Sequence, residues 1–288
     1  MKKTFFDVIS IKKTLSLPLN NFFMIKLIVS DIDGTLVNSK KEIPTDFWSL
    51  FQELKERSIG FCIASGRQIQ GLQQLFAPIA DDLIFIPDNG ASLVSKGTLL
   101  YEDSVPFSLL TSIIKVCEKV NSVGIGLCGK KYTYIKTKDE GIFAQYLPYY
   151  PAHQRVETFE NINDVFFKLA IYDKKDIRTN LYPLLAKFGQ QLNIAISGKT
   201  WLDVMKKDTN KGNALAYLQK YLDVTVSETA VFGDHLNDLE MMRFAKYSFA
   251  MKNAEEEVKK VANYITDFDN ENQGVTRQIR KFFESELI

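Results

Sequence analysis

The sequence predicts an α/β protein whose doubly wound parallel sheet is interrupted by an inserted α+β segment. Three observations predict this class. Short apolar runs alternate with helical patterns over residues 27–86, and the same alternation returns after Lys211. Between these two parts, strand-like segments outnumber helical ones. We therefore expect one sheet assembled from both ends of the chain and a second module between them.

The first elements follow a regular strand and helix rhythm. Residues 27–29 form a continuous apolar run, which is typical of a parallel strand covered on both faces. Pro44 opens a helix, whose apolar residues recur at i, i+3, i+4 and i+7 from Phe47. A strand at 61–64, a helical pattern and a strand at 83–86 follow. This order favours a Rossmann-like sheet with helices between its strands.

The rhythm changes near Asn89-Gly90. Helical patterns occur there at roughly 108–120 and 176–188. Candidate strands of this segment lie at 98–101, 132–136, 166–171, 193–197 and 201–204. We predict a core domain from residues 24–88 and 205–288, with an inserted domain at 89–204. Residues 1–23 are expected to be an extension of doubtful order, because the first strong strand pattern begins only after Met24. Charged residues interrupt the apolar stretches of this segment, which disfavours a signal peptide.

Composition narrows the classes of function. The 288 residues are 45% hydrophobic and 25% charged, as in ordinary soluble globular proteins. A formal net charge of +1 gives no support for a nucleic-acid or membrane partner, and no apolar run approaches the roughly 18 to 20 residues of a membrane span. Three cysteines without paired spacing favour the cytoplasm. Because the chain has only two histidines besides these cysteines, a zinc site is disfavoured, and any metal is expected to be a hard cation held by carboxylates.

Two acidic residues follow the first predicted strand. Asp31 and Asp33 can both reach the crevice at the carboxyl end of that strand, where open α/β sheets bind their ligands. Carboxylates this close repel unless a cation or a shared proton relieves the repulsion. A solvated acidic turn is the alternative, because Asp-Gly pairs are common in turns.

Other chemical groups follow later strands. Asp234 and Asp238 come after the apolar run 230–232, so carboxylates from two strand ends can converge on one magnesium ion. Ser65 and Gly66 end one strand and begin a helix, which makes an anion-binding corner. Lys211 begins another helix and offers a compact positive charge. This combination points to phosphoryl transfer.

These four motifs, in this order and spacing, resemble those of the haloacid dehalogenase-like hydrolases, and in particular the Cof-type phosphatases with an inserted α/β cap. The similarity runs from about Met24 to the C-terminus and includes the segments 88–91 and 250–254. One position departs from the family pattern, because Lys252 stands where the family usually has glycine.

The resemblance implies a role for each motif residue. Asp31 would attack phosphorus and form an aspartyl-phosphate, and Asp33 would protonate the leaving alkoxide and then activate water. Magnesium would be bound by Asp31, by the backbone carbonyl of Asp33 and by Asp234, with Asp238 nearby as a ligand or orienting group. The implied phosphate contacts are Ser65, Gly66, Lys211, Asn237 and the backbone N–H of Ile32.

The predicted function is a cytoplasmic, magnesium-dependent phosphatase acting on a small phosphorylated metabolite. A sugar phosphate, pyridoxal phosphate and flavin mononucleotide all fit this prediction. A phosphomutase of the same fold and a catalytically silent binding or regulatory protein are the alternatives. The inserted module is expected to cover the crevice. Its aromatic loop at 146–151, with His153 and Arg155, either selects the leaving group or packs internally.

Overall fold

The structure is a computed structural model that describes residues 24–285 and 287–288. The predicted N-terminal extension at 1–23 lies outside these residues. The described chain forms two sheets, one of eight strands and one of six. None of its helices in these ranges has the length and apolar character needed to cross a membrane.

The larger sheet is built from both ends of the chain. Its strands, in sheet order, are β14 (Tyr264–Ile265), β13 (Tyr247–Ala250), β12 (Thr229–Gly233), β1 (Leu27–Ser30), β2 (Gly60–Ala64), β3 (Ile84–Ile86), β4 (Ser92–Ser95) and β5 (Thr98–Glu102). All neighbours from β14 to β3 pair in parallel. The chain leaves β1 towards β2 and returns on its other side at β12, so the crevice between their ends is a topological switch point.

Helices of the core connect and cover these strands. They are α1 (Phe47–Glu56), α2 (Ile69–Leu75), α7 (Lys211–Leu222), α8 (Leu239–Arg243), α9 (Glu256–Val261) and α10 (Gly274–Glu284). Phe47 shows why α1 docks where it does, because its ring lies 5.3 Å from Phe61 on β2 and 5.9 Å from Phe76 after α2. The predicted apolar face of α1 is therefore the face that the core buries.

The smaller sheet comes from the middle of the chain. In sheet order its strands are β10 (Leu192–Ile196), β11 (Trp201–Lys206), β9 (Phe166–Asp173), β6 (Val123–Gly129), β7 (Thr133–Lys136) and β8 (His153–Arg155). The helices of this part are α3 (Phe107–Cys117), α4 (Glu140–Tyr146), α5 (Ile177–Asn180) and α6 (Tyr182–Leu185). Only β7 and β8 pair in parallel within this sheet.

Two elements of the middle segment differ from the sequence prediction. The predicted strand at 98–101 is present as β5, but it pairs with β4 at the edge of the larger sheet and not with the strands of the middle segment. The division of the chain into a core domain and an inserted domain at residue 89 remains a proposal. The predicted helix at 176–188 is divided into α5 and α6. Pro183 lies in the first turn of α6, where it lacks the N–H that a continuous helix needs.

Candidate active site

The end of β1 is held against the end of β12. The backbone N–H of Asp31 donates to the carbonyl of Phe232 at 3.0 Å, which continues the parallel pairing to the last residues of both strands. Gly34 then adopts a φ of +82°, and a Cβ at this position would lie 2.3 Å from Asp234 Oδ2. Position 34 therefore requires glycine for two reasons: the backbone has a positive φ, and the second acidic motif approaches too closely to leave room for a Cβ.

Three carboxylates meet at this point. Oxygen atoms of Asp31, Asp234 and Asp238 lie within 4.8 Å of one another. Lys211 Nζ lies 2.6 Å from Asp31 Oδ1 and 2.7 Å from Asp238 Oδ1, and its side chain is fully buried. Thr35 Oγ1 donates to Asp234 Oδ1 at 2.7 Å. One lysine thus faces three acidic groups, which leaves the cluster short of positive charge.

The start of α7 places Lys211. Asn210 caps this helix, since its side chain accepts a hydrogen bond from the N–H of Asn213 at 2.8 Å. Gly90, after β3, has a φ of +95°, and a Cβ there would lie 2.2 Å from the carbonyl oxygen of Asn210. The loop after β3 and the start of α7 therefore touch through their backbones, which brings the lysine beneath the ends of β1 and β12.

The electrostatics of the cluster favour a cation. Burial, with smaller contributions from Asp238 and Asp33, raises the pKa of Asp31 to about 7 in spite of Lys211. Burial, followed by Asp31 and Asp238, raises the pKa of Asp234 to about 8. Asp238 has its Oδ2 oriented by the backbone N–H groups of Asp234 and His235, at 2.9 and 3.1 Å. Clustered carboxylate oxygens that resist ionisation together are a donor set that suits a hard divalent cation.

Asp33 is not part of this carboxylate cluster. Arg67 donates from Nε to Asp33 Oδ2 at 2.8 Å and from Nη2 to Oδ1 at 2.6 Å, and Lys41 Nζ lies 2.6 Å from Oδ1. Burial opposes ionisation, but the hydrogen bonds from Arg67, its charge and the contact with Lys41 outweigh it, so the pKa of Asp33 lies below its ordinary value. Arg67 therefore forms an ion pair with Asp33, and both residues line the same cavity.

The predicted site residues surround one cavity of about 230 Å³. Asp31, Asp33 and Asp234 line it together with Ser65, Gly66 and Asn237. Lys211 and Asp238 lie directly beneath Asp31 and are buried. Ile32 has a buried side chain, and its carbonyl accepts the turn hydrogen bonds from Leu36 and Val37. The structure thus brings all the predicted side chains to one place, and their roles stay proposals.

Residues of the smaller sheet also reach the cavity, and the sequence interpretation missed them. Lys168 on β9 donates to the carbonyl of Gly66 at 2.6 Å and pairs with Asp203 on β11 at 3.1 Å. Asp203 accepts from Asn89 Nδ2 at 2.6 Å, and Asn89 Oδ1 accepts from Asn237 at 2.9 Å. The available signal was a charged residue inside each of two apolar predicted strands, since such residues are rarely buried without a partner.

The aromatic loop is divided between the two roles considered for it. Tyr149 and Tyr150 line the cavity. Tyr146 is fully buried and donates through its hydroxyl to the carbonyl of Ala170 at 3.0 Å, as a packing residue does. His153 and Arg155 belong to β8 and are not among the residues that line the cavity. Trp201, at the start of β11, lines it and was not predicted.

Comparison with known proteins shows the family of this chain. The sequence model of the haloacid dehalogenase-like hydrolases matches residues 28–279 of the chain. A crystal structure of a protein from Streptococcus mutans superimposes with a TM-score of 0.84 and 34% identity, covering 90% of this chain and 99% of the other. The predicted family and fold class are confirmed by these two findings.

Two curated relatives have the same described activity. A 5-amino-6-(5-phospho-D-ribitylamino)uracil phosphatase from Escherichia coli is 31% identical over 91% of this chain and 97% of its own length. A phosphatase of the same description from Bacillus subtilis is 29% identical over 89% of this chain and 95% of its own length. Both alignments cover nearly the whole of each relative.

Proposed function

Because this chain belongs to the haloacid dehalogenase-like hydrolases, we propose that it is a magnesium-dependent phosphatase that hydrolyses a small phosphorylated metabolite through an aspartyl-phosphate. The predicted enzyme class, a phosphatase of this family, is confirmed by the family match and the curated relatives. The observation that carries the proposal is the buried Lys211, which bridges Asp31 and Asp238 beside Asp234 at the floor of the cavity.

The first step uses the two carboxylates after β1. A carboxylate oxygen of Asp31 forms a bond to phosphorus, and the bond between phosphorus and the leaving oxygen breaks. Asp33 gives its proton to that oxygen, so the alcohol departs neutral. Lys211 keeps Asp31 oriented and balances negative charge beneath it. Ser65, Gly66, Asn237 and the backbone N–H of Ile32 are proposed to hold the phosphoryl oxygens.

The second step returns the enzyme to its starting state. Asp33, now a carboxylate, takes a proton from a water molecule as the water oxygen attacks phosphorus. The bond between phosphorus and Asp31 breaks, which releases inorganic phosphate and restores the Asp31 carboxylate. The proton that Asp33 gave up in the first step is thereby replaced, and the net reaction consumes one water molecule.

A magnesium ion fits the donor set described above. Asp31 and Asp234 would hold it with the backbone carbonyl of Asp33, and Asp238 would bind it or orient the others. When bound, magnesium neutralises charge on the phosphoryl oxygens and helps to align the reacting groups. The raised pKa values of Asp31 and Asp234 support this assignment, because a divalent cation supplies the positive charge that the cluster lacks.

The substrate proposal is a phosphomonoester of a small alcohol, and a cytoplasmic location completes the proposed function. The cavity of about 230 Å³ suits a metabolite better than a polymer. Both curated relatives are described as acting on a phosphorylated metabolite. The three cysteines are free and buried, which agrees with a reducing compartment.

The test is phosphate release from a panel of metabolite phosphoesters, with magnesium and with a chelator. We expect magnesium-dependent release by the wild type and at least about a 10³-fold loss in Asp31→Asn, because the amide cannot act as the nucleophile. Asp82→Asn is the matched control, because Asp82 forms an ion pair with Lys55 away from the site. Residual Asp31→Asn activity within tenfold of wild type would remove Asp31 from the nucleophilic role.

The same assay separates the alternatives. A phosphomutase would give an isomerised sugar phosphate and a bisphosphate intermediate without free phosphate. A silent binding protein would release no phosphate from any ester in the panel at any magnesium concentration. Either result would replace the proposed hydrolysis.

A further inference from the structure

We propose that the cavity contains a leaving-group subsite for a neutral planar ring, walled by Trp201 and Tyr149 and edged by Lys168. This inference rests on the proposed function, since it concerns the alcohol part of the phosphomonoester. These residues belong to the middle segment of the chain, whereas Asp31 and Asp33 follow β1. All five line the same cavity, so a ligand held by the first group can present its phosphate to the second.

The aromatic wall is fixed by its own packing. The Trp201 ring lies 4.9 Å from Tyr146 at 78°, 5.8 Å from Tyr149 at 72° and 5.2 Å from Tyr172 at 63°. These edge-to-face contacts hold the indole from several sides and leave it half-buried at the cavity. A rigid aromatic surface of this kind favours a flat ring, because stacking needs no further ordering of the protein side chain.

Tyr149 extends the wall towards the reacting groups. Its side chain is half-buried, and the Arg67 guanidinium lies 5.9 Å from the centre of its ring. Arg67 is the residue that holds Asp33 through two hydrogen bonds. The wall therefore runs from Trp201 to the neighbourhood of Asp33, which is where the bond to the leaving group is cleaved.

Lys168 supplies a polar edge with a donor to spare. Among the described residues its ammonium group has two hydrogen-bond acceptors, the Gly66 carbonyl at 2.6 Å and Asp203 at 3.1 Å, and it lies 5.8 Å from the centre of the Tyr150 ring. An ammonium has three N–H donors, so one remains without a hydrogen-bond acceptor among these residues. The Lys168 side chain is 1% exposed and lines the cavity. Its ammonium group is therefore held in one place by its two acceptors, and the third N–H is available at the cavity. A carbonyl oxygen or a ring nitrogen is the acceptor that such a donor fits.

At the Lys168 edge of the wall, the charges favour a neutral ring over a second anionic group. Lys168 is paired with Asp203, whereas at the other end of the wall Arg67 and Lys41 share the single carboxylate of Asp33. Asp203 also accepts from Asn89 Nδ2 at 2.6 Å, which anchors the pair to the loop after β3. A second phosphate or a carboxylate placed beside Lys168 would meet the carboxylate of Asp203 together with the ammonium, whereas a neutral ring with a carbonyl edge needs no compensating charge.

The experiment compares phosphoesters that differ by the ring alone. The full-length protein with magnesium is assayed on uridine 5′-monophosphate against ribose 5-phosphate, and on flavin mononucleotide against ribitol 5-phosphate. We expect kcat/KM to favour the ring ester of at least one pair by about tenfold or more, the size of effect that one stacked base gives. Equal or lower values for the ring ester in both pairs would overturn the subsite.

Variants assign the preference to the wall. Trp201→Leu should lower the ratio of kcat/KM between ring ester and ringless ester by about tenfold, and Trp201→Phe should keep most of it, because phenylalanine retains a flat ring. Tyr132→Leu is the matched control, since Tyr132 is 40% exposed and does not line the cavity. A Trp201→Leu ratio equal to that of wild type, or a Tyr132→Leu ratio that falls as far, would refute the assignment.

Failure of this inference is distinguishable from failure of the proposed function. Acetyl phosphate, which carries neither a ring nor a sugar, reports hydrolysis without the subsite. Magnesium-dependent hydrolysis of acetyl phosphate and of both members of each pair at equal kcat/KM would leave the phosphatase proposal standing and remove the subsite. No release of phosphate from acetyl phosphate or from any of the four esters would count against both.

Discussion

Arg67 grips the carboxylate of Asp33 with two hydrogen bonds, at 2.8 and 2.6 Å, across 34 residues of sequence. Lys41 approaches the same carboxylate at 2.6 Å. Asp33 is thus held in its ionised form, which suits the second proposed step, in which it accepts a proton from water. The proposed first step needs its protonated form, so that step requires a weaker contact between Arg67 and Asp33 than the one in this structure. Arg67 also lies 5.9 Å from the centre of the Tyr149 ring, between the aromatic wall of the cavity and Asp33.

Replacing Arg67 should change the pH dependence of turnover. Arg67→Gln removes the first cation that stabilises ionised Asp33, so the pKa of Asp33 rises and the limb of the kcat profile that it controls moves to higher pH. Turnover should fall on the order of 10-fold to 100-fold, because Asp33 is no longer positioned. The measurement is kcat as a function of pH.

The control for that experiment is Arg155→Gln. It removes an exposed ion pair between Arg155 on β8 and Glu140 on α4, and neither residue lines the cavity. Its pH profile should match that of the wild type. A limb that stays at the wild-type pH in Arg67→Gln, or one that moves to lower pH, would contradict the proposed relation between Arg67 and Asp33.

Magnesium should stabilise the protein more at high pH than at low pH. In chelator the folded chain keeps protons on Asp31 up to about pH 7 and on Asp234 up to about pH 8, because both are buried, whereas the ordinary pKa is 3.8. Between the ordinary pKa and the raised pKa of each group, the folded state binds more protons than the unfolded state. The free energy of unfolding therefore falls as the pH rises through this range. Magnesium binds the ionised carboxylates and opposes this loss.

The measurement is the Tm at about pH 6 and about pH 8, with magnesium and with chelator. The increase in Tm that magnesium causes should be larger at the higher pH. Asp234→Asn should reduce both the increase and its pH dependence, because it removes one ionisable ligand. A magnesium effect that is the same at both pH values would show that these carboxylates do not bind the ion.

The sequence was sufficient to predict that three of the motifs meet, because Asp31, Ser65 and Asp234 each follow a strand of one parallel sheet. Lys211 is different, because it begins a helix. Its contact with Asp31, 180 positions away, depends on the backbone contact between the loop after β3 and the start of α7. Topology could not give the direction of each side chain. That Asp33 turns towards Arg67, while Asp31 turns towards Lys211, depends on packing and on the local charge balance.

Residues contributed by the smaller sheet were beyond sequence reasoning for a different reason. Lys168 lies on β9 of the smaller sheet, and Gly66, 102 positions away, lies in the turn after β2 of the larger sheet, so no strand pairing relates them. Their contact depends on how the two sheets are placed, which periodicity does not encode. Trp201 was part of a predicted strand, but an aromatic residue at a strand end is more often a packing residue than a ligand contact.

Thr35 is expected to tune magnesium affinity without binding the ion. Its hydroxyl donates to Asp234 Oδ1 at 2.7 Å and is nearly fully buried, so it fixes the direction of that carboxylate. Thr35→Val keeps the shape of the side chain and removes the donor. The magnesium concentration for half-maximal activity should rise about 10-fold to 100-fold, as is typical when a ligand loses its orienting partner.

A matched variant tests whether the effect comes from the orientation of Asp234 or from the loss of any buried threonine hydroxyl. Thr111→Val deletes a hydroxyl that donates to the Phe107 carbonyl at 3.2 Å inside α3, away from the carboxylates. It should leave the magnesium requirement at the wild-type value. Equal magnesium requirements in Thr35→Val and Thr111→Val would argue that the hydroxyl of Thr35 has no part in orienting Asp234.

Gly34 and Gly97 form a natural pair for testing the close approach of the two acidic motifs. Both have a positive φ, +82° and +70°, so alanine strains the backbone at either position. Only at Gly34 would the new Cβ meet a site residue, Asp234 Oδ2 at 2.3 Å, whereas at Gly97 no heavy atom of the described chain lies within 4 Å. The two substitutions therefore share a conformational cost and differ in the clash.

Gly34→Ala should displace the Asp234 carboxylate and raise the magnesium concentration for half-maximal activity at least about tenfold, in addition to lowering the Tm. Gly97→Ala should lower the Tm through backbone strain while its magnesium requirement stays that of the wild type. Magnesium titrations of activity, together with melting curves of both variants, make the comparison. If Gly34→Ala needs no more magnesium than Gly97→Ala, then displacing the Asp234 carboxylate does not weaken magnesium binding. Asp234 would then not be a ligand, and the proposed ligand set would be wrong.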